Sequence, residues 1–152
     1  MRAVGLAVLG LVISDPILAG EPSELACKAT RPEIAHPAKD PNADPFPHGP
    51  WYINADRTIW AGWDAANPNQ GRNKVLWIRP QGTDLEISGR RLDSESSPLV
   101  ASIPCCYPTR FQATGLTFPT AGCWEVKAKA GSSTLTFVTL VKPRPHHGAA
   151  EQ

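Results

Sequence analysis

Familiar catalytic signatures are missing from this sequence. It has no GxSxG, no HExxH, no P-loop and no other phosphate-cradling glycine loop. There is no CxxC pair and no Cys/His cluster with zinc spacing. All four histidines (His36, His48, His146 and His147) lie in the two tails, so a cysteine nucleophile in the body would find no imidazole partner. His36, His48 and the His146-His147 pair offer metal-type ligands, but Pro-rich tails do not preorganise them. No catalytic residue, metal or cofactor is therefore expected. A formal net charge of +1 lacks the basic excess that neutralises phosphates, so no nucleic-acid partner is expected. Apolar residues never hold a 3.6-residue period beyond two turns, which argues against long helices. No internal repeat is found, and no transmembrane-length apolar run follows residue 20.

What is present begins with an export pattern. In "MRAVGLAVLGLVISDPILAG", Arg2 precedes the eleven-residue apolar run "AVGLAVLGLVI", and small residues follow at Ala19 and Gly20. Residues 1–20 read as a signal peptide, placing the mature chain in the periplasm, the cell envelope or outside the cell. A lipid anchor on Cys27 is disfavoured because Glu24 stands where an apolar residue would be expected. Outside the cytoplasm, four cysteines suggest disulfides.

Residues 21–50 carry seven prolines and no strand or helix period, so they read as an extended lead segment. Residues 143–152 form a second tail. Between them, short alternating runs ("WYIN", "RTIWAGW", "KVLWI", "TDLEISGRRL", "LVASI", "FQATGLTF", "CWEVKAKA" and "TLTFVTLVK") are separated by Pro, Gly and Ser turns. They predict seven to nine strands over 51–142 in an all-β, antiparallel sandwich with a Pro-rich N-terminal segment. Gly115 is expected to bend or bulge its strand.

Cys123 opens the strand 123–130. Trp124, Val126, Ala128 and Ala130 share one face; Cys123, Glu125, Lys127 and Lys129 share the other. The apolar set must face the core, because burying two lysines and a glutamate would cost far more. Cys123 therefore points outward, suited to pin something lying over the sheet, and Cys27 in the lead segment is a candidate. Four cysteines allow three pairings. The adjacent Cys105 and Cys106 in "PCCYP" bond to each other, stay free, or divide between Cys27 and Cys123.

"LEISGRRLD", "PLVASIP", "FQATGLTFPTAGCWEV" and "LTFVTLV" resemble a family of uncharacterised secreted bacterial proteins with an immunoglobulin-like sandwich. The resemblance covers roughly residues 83–141, and more loosely from 51, and carries almost no functional information. It implies an immunoglobulin-like fold and supports pairing Cys27, in "CKATRP", with Cys123. "PCCYP" departs from the family pattern at that loop.

Trp51, Tyr52, Trp60, Trp63 and Tyr107 are candidates for a ligand surface. In "RTIWAGW", Ile59, Ala61 and Trp63 alternate with Trp60, so one indole faces in and one faces out. An outward tryptophan would stack on a sugar or a peptide, or cap the sandwich. Arg90, Arg91, Lys127 and Lys129 have acidic neighbours and read as a mixed solvated face. The leading expectation is a non-catalytic exported module for envelope or extracellular interaction with a protein or glycan. A ligand-binding or redox-active Cys105-Cys106 loop is the second reading, and a small carboxylate-dependent hydrolase the third.

Overall fold

The computed structural model describes residues 27–37, 49–63, 68–105 and 107–144. The signal-peptide reading, His48, Cys106, His146 and His147 lie outside the described residues. Nine strands occur among them: β1 (Glu33–Ala35), β2 (Gly49–Ile53), β3 (Trp60–Trp63), β4 (Gly71–Ile78), β5 (Leu85–Arg91), β6 (Val100–Ser102), β7 (Phe111–Phe118), β8 (Gly122–Ala130) and β9 (Ser133–Val141). They form a six-stranded sheet in the order β1-β2-β3-β4-β7-β6 and a three-stranded sheet in the order β5-β8-β9. Every strand pair is antiparallel.

The period-2 pattern explains which faces meet. Leu85 and Ile87 on β5, Trp124, Val126, Ala128 and Ala130 on β8, and Leu135, Phe137 and Val141 on β9 turn toward Tyr52, Ala61, Val75, Trp77, Leu116 and Phe118 of the larger sheet. Rings fill the space between: Tyr52 stacks on Phe137 at 4.0 Å, and Phe118 meets Trp124 edge-on at 5.3 Å. Two indoles of this core keep polar partners: Trp77 Nε1 donates to Thr114 Oγ1 and Trp124 Nε1 to the Thr120 carbonyl.

Two expectations need correction. β7 pairs with β4 in unbroken register from Gly71↔Phe118 to Ile78↔Phe111, so Gly115 makes no bulge. Its missing Cβ instead lets the Arg72 side chain lie across the sheet, with Nε 2.9 Å from where a Cβ would stand. The lead segment is also not without strand structure. Glu33–Ala35 pairs with β2, because tertiary contact supplies an edge that three residues between prolines cannot signal.

Cys27 and Cys123 are bonded to each other, with a sequence separation of 96. Cys123 lies on the outer face, opposite Leu140 and beside half-buried Glu125, and it is buried only because the lead segment covers it. Beyond the bond, Thr30 donates its N–H to the Val138 carbonyl and accepts the Val138 N–H on Oγ1. The chain then joins β2. The segment thus runs from the outer face of one sheet, along the free edge of β9, to the edge of the other sheet. It blocks an exposed strand edge that would otherwise be open to pairing with another chain.

Asn54 ties the far end of β9 to the β2–β3 turn. Its Oδ1 accepts the N–H groups of Thr58 and Ile59, both at 2.9 Å, and its Nδ2 donates to Thr58 Oγ1 and the Thr134 carbonyl. Asn54→Ala is expected to cost about 2–3 kcal/mol, since several donors and acceptors lose partners at once. Urea unfolding checks this; an unchanged midpoint would refute it.

At the start of β8, Asp93 accepts Arg91 Nε at 2.6 Å and the Cys123 N–H at 3.2 Å. The Arg91 guanidinium, helped by that N–H, holds the Asp93 carboxyl below its ordinary value against the opposing effect of burial. A depressed folded-state pKa stabilises the fold at neutral pH, and that contribution is lost as pH falls through the carboxylate range and below. Asp93→Asn should therefore lie below the parent in urea midpoint at pH 7. The gap should close in acid, below pH about 4.

Candidate functional site

The end of β4 and the two residues after it read "VLWIRP". Val75 and Trp77 face the core, and the same parity carries Arg79 to the mouth of the sandwich, where it is 4 % exposed. Pro80 then ends the strand. On the neighbouring β7, Gln112 has core parity with Thr114, Leu116 and Phe118 and is 3 % exposed. The two buried polar side chains meet: Arg79 Nε donates to Gln112 Oε1 at 2.6 Å.

Each also donates to one loop, 104–110. Arg79 gives its Nη2 to the Tyr107 carbonyl at 3.3 Å, and Gln112 gives its Nε2 to the Pro104 carbonyl at 2.8 Å. The Arg79 backbone N–H reaches the Arg110 carbonyl, and Gln81 Nε2 reaches the Pro108 carbonyl, both at 3.0 Å. Arg79 Nη1 also donates to the Pro80 carbonyl at 3.1 Å. Four loop carbonyls are thus held from the sheet side, while Pro104, Cys105 and Pro108 face solvent and Tyr107 is half-buried.

Burial pushes the Arg79 guanidinium below its ordinary value, and the charge of Asp84 opposes that shift. The cation is retained, because guanidinium does not lose its proton in proteins. Neutral acceptors surround it, so its charge strengthens each bond without a carboxylate at the loop. Replacing Gln112 with leucine leaves Arg79 Nε without this acceptor and frees the Pro104 carbonyl. The loop amides are expected to exchange with deuterium at least about tenfold faster, with the amides of β8 little changed. Uniform acceleration across both would show a global loss of stability instead.

Cys105 is disulfide-bonded, and Cys27 and Cys123 are already joined to each other. Its neighbour in sequence, Cys106, lies outside the described residues.

The aromatic candidates separate. Trp51, Tyr52 and Trp60 are 2 %, 8 % and 4 % exposed and do not present open stacking faces. Trp60 does point away from the main core, as parity requires. There it joins Trp51 and Ile78 in a second buried cluster, with Ala35, Ile53, Leu76 and Phe111 packed against it. Trp51 lies over Gly62, where a Cβ would come within 2.9 Å of the ring. Arg57 covers Trp60 from 4.8 Å and pairs with Glu33. Trp63 packs on Phe118 and Phe137. Tyr107 alone belongs to the pinned loop.

Arg90 pairs with Glu125 at 2.8 Å and Arg91 with Asp93 at 2.6 Å, which gives the mixed face expected from composition. Among the described residues, no group of three His, Cys, Asp or Glu side chains could hold a metal ion, and no helix is long and apolar enough to cross a membrane.

Arg79 and Gln112 were not singled out from sequence. The available signal was parity: each continues the buried face of a strand with a polar residue, and a buried polar group must have partners. Comparison with known protein families, curated proteins and solved structures returns no match.

Proposed function

We propose that this chain is an exported, non-catalytic β-sandwich that meets an envelope or extracellular partner, a protein or a glycan, through loop 104–110. The observation that carries the reading is the buried Arg79–Gln112 pair, whose donors hold the carbonyls of Pro104 and Tyr107. A loop held this way loses little conformational entropy on binding. Its outer surface offers two proline rings and part of a tyrosine. Export is supported by the signal-like N-terminus and by the Cys27–Cys123 bond, which suits an oxidising compartment.

The sandwich is further proposed to be of immunoglobulin-like type, within the secreted bacterial family that its motifs resemble. Two packed antiparallel sheets and the closing β8–β9 hairpin support this. The six-plus-three strand division and a disulfide on an outer face differ from the constant-type antibody domain, which divides four and three with an inter-sheet bond. A redox or ligand role for the cysteine loop is the second reading, favoured by the disulfide-bonded state of Cys105.

The test is site-specific photocrosslinking in cells making the full chain, with the probe at Tyr107 or at Lys127 on the opposite sheet. Crosslinks to a discrete species from 107 and none from 127 support the proposal, and Gln112→Leu should weaken them. Equal yields from both positions overturn the loop assignment. Recovery of the chain from the cytoplasm with reduced cysteines overturns export.

A further inference from the structure

The opposite end of β7 carries a different site. Gln70, Gly71, Thr117, Phe118, Pro119, Pro143 and Arg144 line a cleft of about 450 Å³. β7 spans eight residues, so this cleft lies roughly 25 Å from the pinned loop. We propose that it binds a small carboxylate, with Arg144 as the anion-recognising group.

Backbone hydrogen bonds fix the walls. The Gln70 N–H donates to the Lys142 carbonyl at 2.8 Å, and the Lys142 N–H donates to the Pro68 carbonyl at 3.0 Å. The chain leaving β9 is thereby held beside the chain entering β4. Gln70 Nε2 donates to the Pro119 carbonyl at 3.0 Å, which fixes the facing wall and orients the carboxamide. Pro119 and Pro143 add rings with little freedom, and buried Phe118 lies beneath them.

Gly71 makes the seat. Its φ is +95°, and the Arg144 guanidinium lies directly over its Cα, where any Cβ would overlap Nη2. An arginine laid on a glycine in this way is positioned before a ligand arrives. Arg144 forms no ion pair with a carboxylate among the described residues, and none of the residues lining the cleft is acidic. A planar, permanently charged fork beside proline rings suits a planar carboxylate that carries an apolar or aromatic group.

The probe pair is N-acetyl-phenylalanine and its neutral amide, N-acetyl-phenylalaninamide, titrated into the full chain and followed by amide and arginine side-chain NMR. The acid is expected to shift Gln70, Gly71, Thr117 and the Arg144 Nε–H saturably, and the amide to bind at least about tenfold more weakly. Arg144→Gln should erase the preference for the acid. Because Arg144 is exposed and outside the core, its unfolding midpoint should stay at the parent value. Equal binding of acid and amide, parent-like acid binding by Arg144→Gln, or no shift at ~10 mM acid would each overturn the proposal. The loop at the other end is untouched by this variant, so crosslinking from Tyr107 reports separately on the proposed function.

Discussion

Replacing both Cys27 and Cys123 with serine is expected to lower unfolding free energy by about 4–5 kcal/mol, the chain-entropy value for a cross-link closing a 96-residue separation. For a domain of this size that corresponds to a fall in Tm on the order of 15–20 °C. The effect should reach beyond the bond. Cys27 and Cys123 are 6 % and 5 % exposed because the lead segment lies over β8, and among the described residues the segment's backbone hydrogen bonding to β9 is at Val138. Without the bond, little apolar burial holds it, since Ile34 on β1 is 82 % exposed. The Val138 amide should therefore lose its protection against hydrogen exchange before the amides that pair β8 with β9. Calorimetry and exchange on the double variant check both statements. A midpoint within about 3 °C of the parent, equivalent to less than 1 kcal/mol, would mean that the segment is held by its other contacts.

The second large effect is expected at Trp77. It is fully buried, and its ring belongs to the core between the sheets. Trp77→Ala should cost about 3–5 kcal/mol from lost transfer energy and the cavity left behind. It also leaves Thr114 Oγ1, itself buried, without the indole donor. Trp77→Phe separates the two contributions: it keeps most of the apolar volume and loses the hydrogen bond. Its cost should be smaller, about 1–3 kcal/mol. Urea unfolding of the two variants measures the difference. Equal losses would show that the hydrogen bond, not the volume, dominates at this position. Because Arg79 follows Trp77 by two residues, with the same parity just past the end of β4, the alanine variant should also loosen loop 104–110.

The strands of the body and their inward faces were legible in the sequence because period-2 alternation is a local property. Trp124, Val126, Ala128 and Ala130 against Glu125, Lys127 and Lys129 leave only one orientation that does not bury charge, and this also placed Cys123 outside. Other features needed the tertiary structure. Parity showed that Trp60 faces away from Ile59 and Ala61, yet it could not show that Trp51, Ile78 and their neighbours bury that second face. Nothing local marks Glu33–Ala35 as a strand, because its partner β2 lies across a chain reversal that three residues between prolines do not signal. The Gly115 backbone carries no bulge because an unbroken β4–β7 register leaves its vacant side to Arg72. The pinned loop and the arginine cleft arise in the same way. Each joins residues from separate strands, so composition and spacing determine the strands, while the order of those strands in the sheets decides which side chains meet.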